Sequence, residues 1–156
     1  MMNHGSLPRT LGSLRSSSQF SEDRIAHRSV KDELRSNLIS RIQQGDSLFP
    51  GVLGYEETVV PQVVNAILSR HNFILLGLRG QAKTRLIRML TTLVDEYAPY
   101  IEGCEIRDNP YHPICRRCRD LVAEQAGDTP IAYLDREHRY VEKLATPDVT
   151  IADMIG

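Results

Sequence analysis

The sequence predicts a three-layer α/β fold, a parallel sheet with helices on both faces. Asn72 to Gly77 is a short apolar run bounded by turn residues, the pattern of a buried parallel strand. A glycine-containing loop follows it directly. From Thr84 to about Tyr97, the apolar residues Leu86, Ile87, Leu90, Leu93 and Val94 recur at three- and four-residue steps. That spacing predicts a helix packing back on the sheet.

The chain has 156 residues, 41% of them hydrophobic, and a net charge of -1. Those values suit one ordinary domain and argue against a generally basic nucleic-acid binder. The longest apolar run, Phe73 to Leu78, is too short to span a bilayer, so no membrane role is expected. Residues 1–22 read as a disordered tail. Met1 to Phe20 is rich in Ser and carries Arg9 and Arg15 without an acid, a composition that also fits a transit peptide, but it has no clear apolar period and no secretory core. Three cysteines are an odd number and sit close together, which suits thiols or a metal in a reducing cytoplasm better than a disulfide framework.

An N-terminal helix is expected within residues 23–45. Ser29 with Asp32 resembles a capping box, Val30, Leu34, Leu38 and Ile42 fall on one face, and Gly45 is a stop signal. Phe49-Pro50-Gly51 is a turn. Glu56 to Arg70 reads as a helix with Val60, Val63, Val64, Ile67 and Leu68 buried, and with Pro61 harmless near its first turn. Ala98 to Pro113 has no period and holds Pro99, Gly103, Pro110 and Pro113, so a cysteine-containing insertion or long loop is expected over about residues 98–120. Arg116 to Gln125 reads as a short helix, Ile131 to Leu134 as a strand, and Tyr140 to Leu144 as another.

The loop Gly77-Leu78-Arg79-Gly80-Gln81-Ala82-Lys83-Thr84 matches the phosphate-binding pattern of Gly, four residues, Gly, Lys, Ser or Thr, except that Ala82 replaces the second glycine. Gly77 lets the chain leave the strand sharply. The backbone N–H groups from Leu78 to Thr84 would form an anion nest, Lys83 would reach the β- and γ-phosphates of ATP, and Thr84 would give its hydroxyl to Mg²⁺. Alanine is tolerated at position 82 where φ is negative and damaging where φ is positive. Arg79 and Gln81 are ordinary loop residues on this reading.

The run Leu48 to Glu57, the helix after it and the loop together resemble the entry of AAA+ ATPases, above all the magnesium chelatase I subunit and its MoxR-type relatives. Alanine before the Walker lysine also occurs in that clade. Leu144 to Gly156 looks like the stretch before the family's first inserted hairpin. The resemblance covers about residues 48–156 and implies a P-loop core spanning residues 46–156, a homo-oligomeric ATP-driven ring, and a partner with a von Willebrand A domain. In the chelatases that partner inserts Mg²⁺ into a porphyrin. It also implies that Val52 to Tyr55 lie near the adenine.

Hydrolysis needs an acidic pair on a second strand. Asp95-Glu96 lies on the helix leaving the loop and reads as a helix end. Asp135 ends an apolar strand, but Arg136 stands where the second acid belongs. It is either the metal-side acid or a solvated strand end, and the resemblance favours the latter by placing the acids after Gly156. The expected core is therefore incomplete, binds ATP without hydrolysing it efficiently, and leaves an open sheet edge that favours self-association.

Cys104, His112, Cys115 and Cys118 form a second constellation. The CxxC of Cys115 and Cys118 lets two thiolates grip one tetrahedral metal, Cys104 and His112 could complete it, and Zn²⁺ is the natural ion. The intervening arginines would stabilise the thiolates. A redox-active pair and simple free thiols remain open readings. The alternative to a nucleotide-binding module is accordingly a non-catalytic interaction protein with a zinc-stapled docking loop. Nucleic-acid binding through Arg107, Arg116, Arg117 and Arg119 is disfavoured, because Glu105, Asp108 and Asp120 dilute that patch.

Overall fold

The computed structural model describes residues 7–78, 80–143 and 147–155. Helices dominate it. α1 (Leu11–Arg15) and α2 (Glu22–Ile25) are short, α3 (Val30–Gln44) is the longest, and α4 (Val59–Leu68) and α5 (Lys83–Met89) follow. β1 (Tyr97–Ile101), α6 (Arg116–Gln125), β2 (Ile131–Asp135) and α7 (Ile151–Ile155) complete the order. Among the described residues, no helix is long and apolar enough to cross a membrane.

The three-layer parallel sheet and P-loop core expected from the sequence do not form. Among the described residues the only sheet is two-stranded and antiparallel, β1 beside β2, with Tyr97 opposite Asp135 and Ile101 opposite Ile131. The strand expected at Asn72 to Gly77 lies without strand pairing. Phe73 and Leu75 pack inward on the helices, whereas Ile74, Leu76 and Leu78 are 82%, 89% and 78% exposed. Local β-propensity does not make a strand unless a neighbouring strand takes up its backbone hydrogen bonds. β2, the strand expected at Ile131 to Leu134, pairs with β1 instead. β1 itself was hidden in the sequence by Pro99, which an edge strand tolerates. Tyr140 to Lys143 is not a strand, and Leu144 lies outside the described residues.

Over residues 7–22 the expected disordered tail is packed against the rest of the chain, and residues 1–6 of that expectation lie outside the described residues. Leu7, Leu11, Leu14 and Phe20 are buried with Tyr97 and Ile131 in one apolar cluster. The segment is held by backbone bonds from Leu11 to the Thr129 carbonyl and from Ile131 to the Arg9 carbonyl, both at 2.9 Å. Tyr133 donates its hydroxyl to the Pro8 carbonyl at 2.7 Å. Thr10 and Ser13 form a capping box that starts α1. Each such buried leucine is worth about 1.5–3 kcal/mol, enough to order a segment whose composition looks disordered.

A second cluster joins α3, α4 and α5 through Leu38, Val63, Ile67 and Leu86, with Phe49 and Val52 from the turn before α4. Ser29 and Asp32 make the expected capping box of α3, and Gly45 ends it at φ +75. Only the middle of the predicted stripe is inward: Leu38 is fully buried, but Val30 and Ile42 are 54% and 47% exposed. α5 stops at Met89 and tightens into a 3₁₀ turn over Leu90–Leu93, shorter than the helix expected to about Tyr97.

Polar contacts join the two clusters. The Asn37 amide donates at 2.8 Å to both the Leu93 carbonyl and the Asp95 carboxylate. Arg139 grips Glu33 through two bonds of 2.6 and 2.5 Å, and the Asp95 N–H donates to the same carboxylate at 2.6 Å. Asp95 is therefore a loop residue that orients α3, not the end of a helix.

Candidate metal centre

β1 ends in a tight turn. Gly103 has φ +70, and the Cys104 N–H returns to the Ile101 carbonyl at 3.1 Å. The chain then doubles back, so that the Ile101 N–H donates to the Asp108 carbonyl, also at 3.1 Å. This knuckle brings Asp108 under Cys104, and the Asp108 N–H donates to Cys104 Sγ at 3.3 Å. Cys115 caps α6, with Sγ accepting the Cys118 N–H at 3.3 Å, and Cys118 follows one helical turn later.

The ligand atoms of Cys104, Asp108, Cys115 and Cys118 all lie within 4.8 Å of one another, and Cys104 Sγ is 4.0 Å from Cys115 Sγ. A tetrahedral centre with Zn–S bonds of about 2.3 Å places its sulfurs roughly 3.8 Å apart, so the group fits such an ion with small adjustments. Cys104, Cys118 and Asp108 are buried, and Cys115 is half-buried. Four ligands on one loop and one helix start can therefore hold a metal ion.

The electrostatics suit that purpose. Burial acts to raise the Cys104 thiol, but the Asp108 amide, the Cys118 thiol and further hydrogen bonds outweigh it and bring the group below its ordinary value. Burial likewise opposes Asp108 ionisation, yet hydrogen bonds from Cys115, the Ile114 amide and Cys118 hold the carboxyl down, the Cys115 N–H at 2.9 Å. Cys118 is pushed up, first by burial and then by its two thiol neighbours. A cation is what would relieve it.

In the metal-free chain the Asp108 carboxyl titrates lower folded than unfolded. It contributes stability above the unfolded value and loses it as pH falls through the folded one. An Asp108→Asn variant should therefore lose stability less steeply than the wild type below about pH 4 in urea unfolding at stepped pH. Parallel slopes would contradict the assignment.

The sequence placed His112 fourth in this set. The structure places it elsewhere: His112 is exposed and its ring lies 4.4 Å from that of His27. Asp108 takes the fourth position instead. The arginines of the CxxC are also engaged away from the thiols. Arg117 donates to the Gly103 carbonyl at 2.9 Å, and Arg116 pairs with Asp120 at 3.6 Å. A usable signal for Asp108 was its place four residues after Cys104, within reach of one turn.

The residues expected to bind phosphate surround an open hollow lined by Gly77, Gly80, Gln81, Ala82, Lys83, Thr84 and Arg85. Arg79 lies outside the described residues. Leu78 projects to solvent, and its carbonyl accepts a hydrogen bond from Lys83 Nζ, so the ammonium is turned back into the loop. Tyr55 ties the loop down by donating to the Gln81 carbonyl at 3.2 Å. Ala82 has φ +51, the left-handed conformation in which alanine is strained and which a phosphate-binding loop with alanine at this position has to avoid. Thr84 is exposed in the first turn of α5. Asp135 accepts from the His138 ring at 2.6 Å and from its N–H at 3.0 Å, so it caps a local turn.

No protein-family model, curated protein or solved structure matches this chain.

Proposed function

We propose that this chain is a non-catalytic interaction protein whose docking loop, residues 102–118, is stapled by one structural Zn²⁺ on Cys104, Asp108, Cys115 and Cys118. The observation that carries this reading is the convergence of three sulfurs and one carboxylate within 4.8 Å. Thiolates favour zinc over magnesium or calcium, and four protein ligands leave no open position for substrate, the signature of a structural site. The loop has little core of its own, only Ile101, Cys104 and Cys118 being buried in its cluster. It presents Ile106 and Ile114, 61% and 75% exposed, and a metal would hold both out as contact residues. Metal analysis after zinc-supplemented expression should find one zinc per chain, lost in Cys115→Ser and Cys118→Ser. Zinc-free wild-type protein would refute the reading.

The position of Lys83 favours a second reading, in which the loop from Gly77 to Thr84 takes the phosphates of ATP and Thr84 contributes to Mg²⁺. It needs only the loop. Lys83 lines the hollow, and a phosphate oxygen would have to draw its ammonium away from the Leu78 carbonyl. The ring and the von Willebrand A partner implied by the resemblance belong to this reading. Lys83→Ala should weaken ATP binding roughly tenfold in a titration, a loss of about 1.4 kcal/mol. Equal affinity in both proteins would remove it.

A further inference from the structure

The three thiols of the cluster are not equivalent. Cys115 is the half-buried one, and it stands at the start of α6, where its sulfur accepts the Cys118 N–H at 3.3 Å. Cys104 is 7% exposed and its sulfur lies 4.0 Å from that of Cys115. Cys118 is fully buried at 0% exposure. An oxidant arriving from solvent meets Cys115 first, and the Cys104 sulfur stands 4.0 Å away as a resolving thiol.

We propose that Cys104 and Cys115 form a reversible disulfide on exposure to a peroxide, that Cys118 stays reduced, and that the staple opens as a result. The metal-release half of this proposal rests on the zinc reading above, and the pairing of thiols does not. The Cys115 thiolate attacks one peroxide oxygen and the O–O bond breaks, giving a sulfenic acid on Cys115 and hydroxide, which takes up a proton as water. Cys104 Sγ then attacks the Cys115 sulfur. The S–O bond breaks and a second water leaves. Two thiolates, one hydrogen peroxide and two protons thus give one disulfide and two waters. Both sulfurs are oxidised by one electron each, and the peroxide is reduced by two. Zinc changes no oxidation state. It loses two of its four ligands and is left with Asp108 and Cys118, too few to retain it.

Closing the disulfide brings the sulfurs from 4.0 Å to a bond of about 2.05 Å. Gly103, at φ +70, begins the turn that carries Cys104, so the movement falls on a short loop and leaves β1 and α6 in place. The CxxC pair would be the usual expectation from sequence. Here Cys118 is fully buried within α6, whereas Cys104 sits on the short turn after β1, which favours the longer-range partner.

The test uses the full chain, zinc-loaded and metal-free, treated with hydrogen peroxide. Free thiols are then alkylated, peptides are mapped by mass spectrometry, and released zinc is followed with a chromophoric chelator. The expected product is a Cys104–Cys115 cross-link with Cys118 alkylated in both samples, with zinc released in step with the cross-link in the loaded one. A dithiol reductant should restore all three thiols. A Cys115–Cys118 linkage, or three alkylatable thiols, would overturn the proposal. If the chain takes up no zinc, the zinc reading fails, while the map of the metal-free sample still decides the pairing. Cys104→Ser should stop at a Cys115 sulfenic acid trapped by a cyclic 1,3-diketone, and an intramolecular disulfide in that variant would also overturn it.

Discussion

Replacing Cys118 with serine, or stripping the metal with a strong chelator, is expected to lower stability by about 3 kcal/mol and the Tm by roughly 10 °C. The reasoning begins with what the 102–118 loop lacks. Its cluster buries only Ile101, Cys104 and Cys118, with Cys115, Leu121 and Val122 around them. A metal linking β1's end to α6's start replaces the apolar core that so short a segment cannot build. The serine hydroxyl would also be buried where a sulfur was fully enclosed. The loss should be local in its first step. Hydrogen exchange should accelerate at the Cys104 and Asp108 amides, the latter now held by a sulfur acceptor, before it does in α3 or α4. Calorimetry with and without chelator checks the magnitude. Superimposable melts would show that the cluster holds no metal.

The second large effect lies at the seam between the two apolar clusters. Glu33→Gln or Arg139→Met should cost about 3 kcal/mol in urea unfolding, because each leaves the other charge of a buried pair uncompensated. Glu33 and Arg139 side chains are only 7% and 14% exposed, and they meet through two parallel bonds. The same carboxylate accepts the Asp95 N–H, so Glu33→Gln also weakens the link between α3 and the segment entering β1. Replacing both by Leu and Met should recover much of the loss, since well-packed apolar pairs often replace buried ion pairs without penalty. A double variant as unstable as the sum of the singles would show that the pair does not act as a unit.

Legibility from sequence followed the range of the interactions. Ser29, Asp32 and Gly45 delimit α3 because capping is decided within four residues. α6 and β2 were also visible in local pattern, starting at Arg116 and Ile131 as expected. The sheet was not visible, because strand pairing depends on where distant segments land. Tyr97 to Ile101 carries a proline and pairs well, while Phe73 to Leu78 has better strand residues and stays unpaired. The N-terminal segment misled by composition: its serines hid Leu7, Leu11 and Leu14, whose burial is made by Tyr97, Ile131 and Tyr133 far along the chain. In the cluster, the cysteine spacing was enough to bring three ligands together. Residue type favours His112 as the fourth ligand, but the knuckle after Ile101 turns Asp108 toward the sulfurs and leaves His112 beside His27.

Cobalt substitution tests the central claim most directly. Adding Co²⁺ to the metal-free chain should give one equivalent of binding, with the intense visible bands of a tetrahedral site and a near-ultraviolet thiolate charge-transfer band. His112→Ala should leave that spectrum unchanged and Asp108→Asn should alter it. Absence of the bands in the wild type, or their loss in His112→Ala with no change in Asp108→Asn, would contradict a centre built from Cys104, Asp108, Cys115 and Cys118.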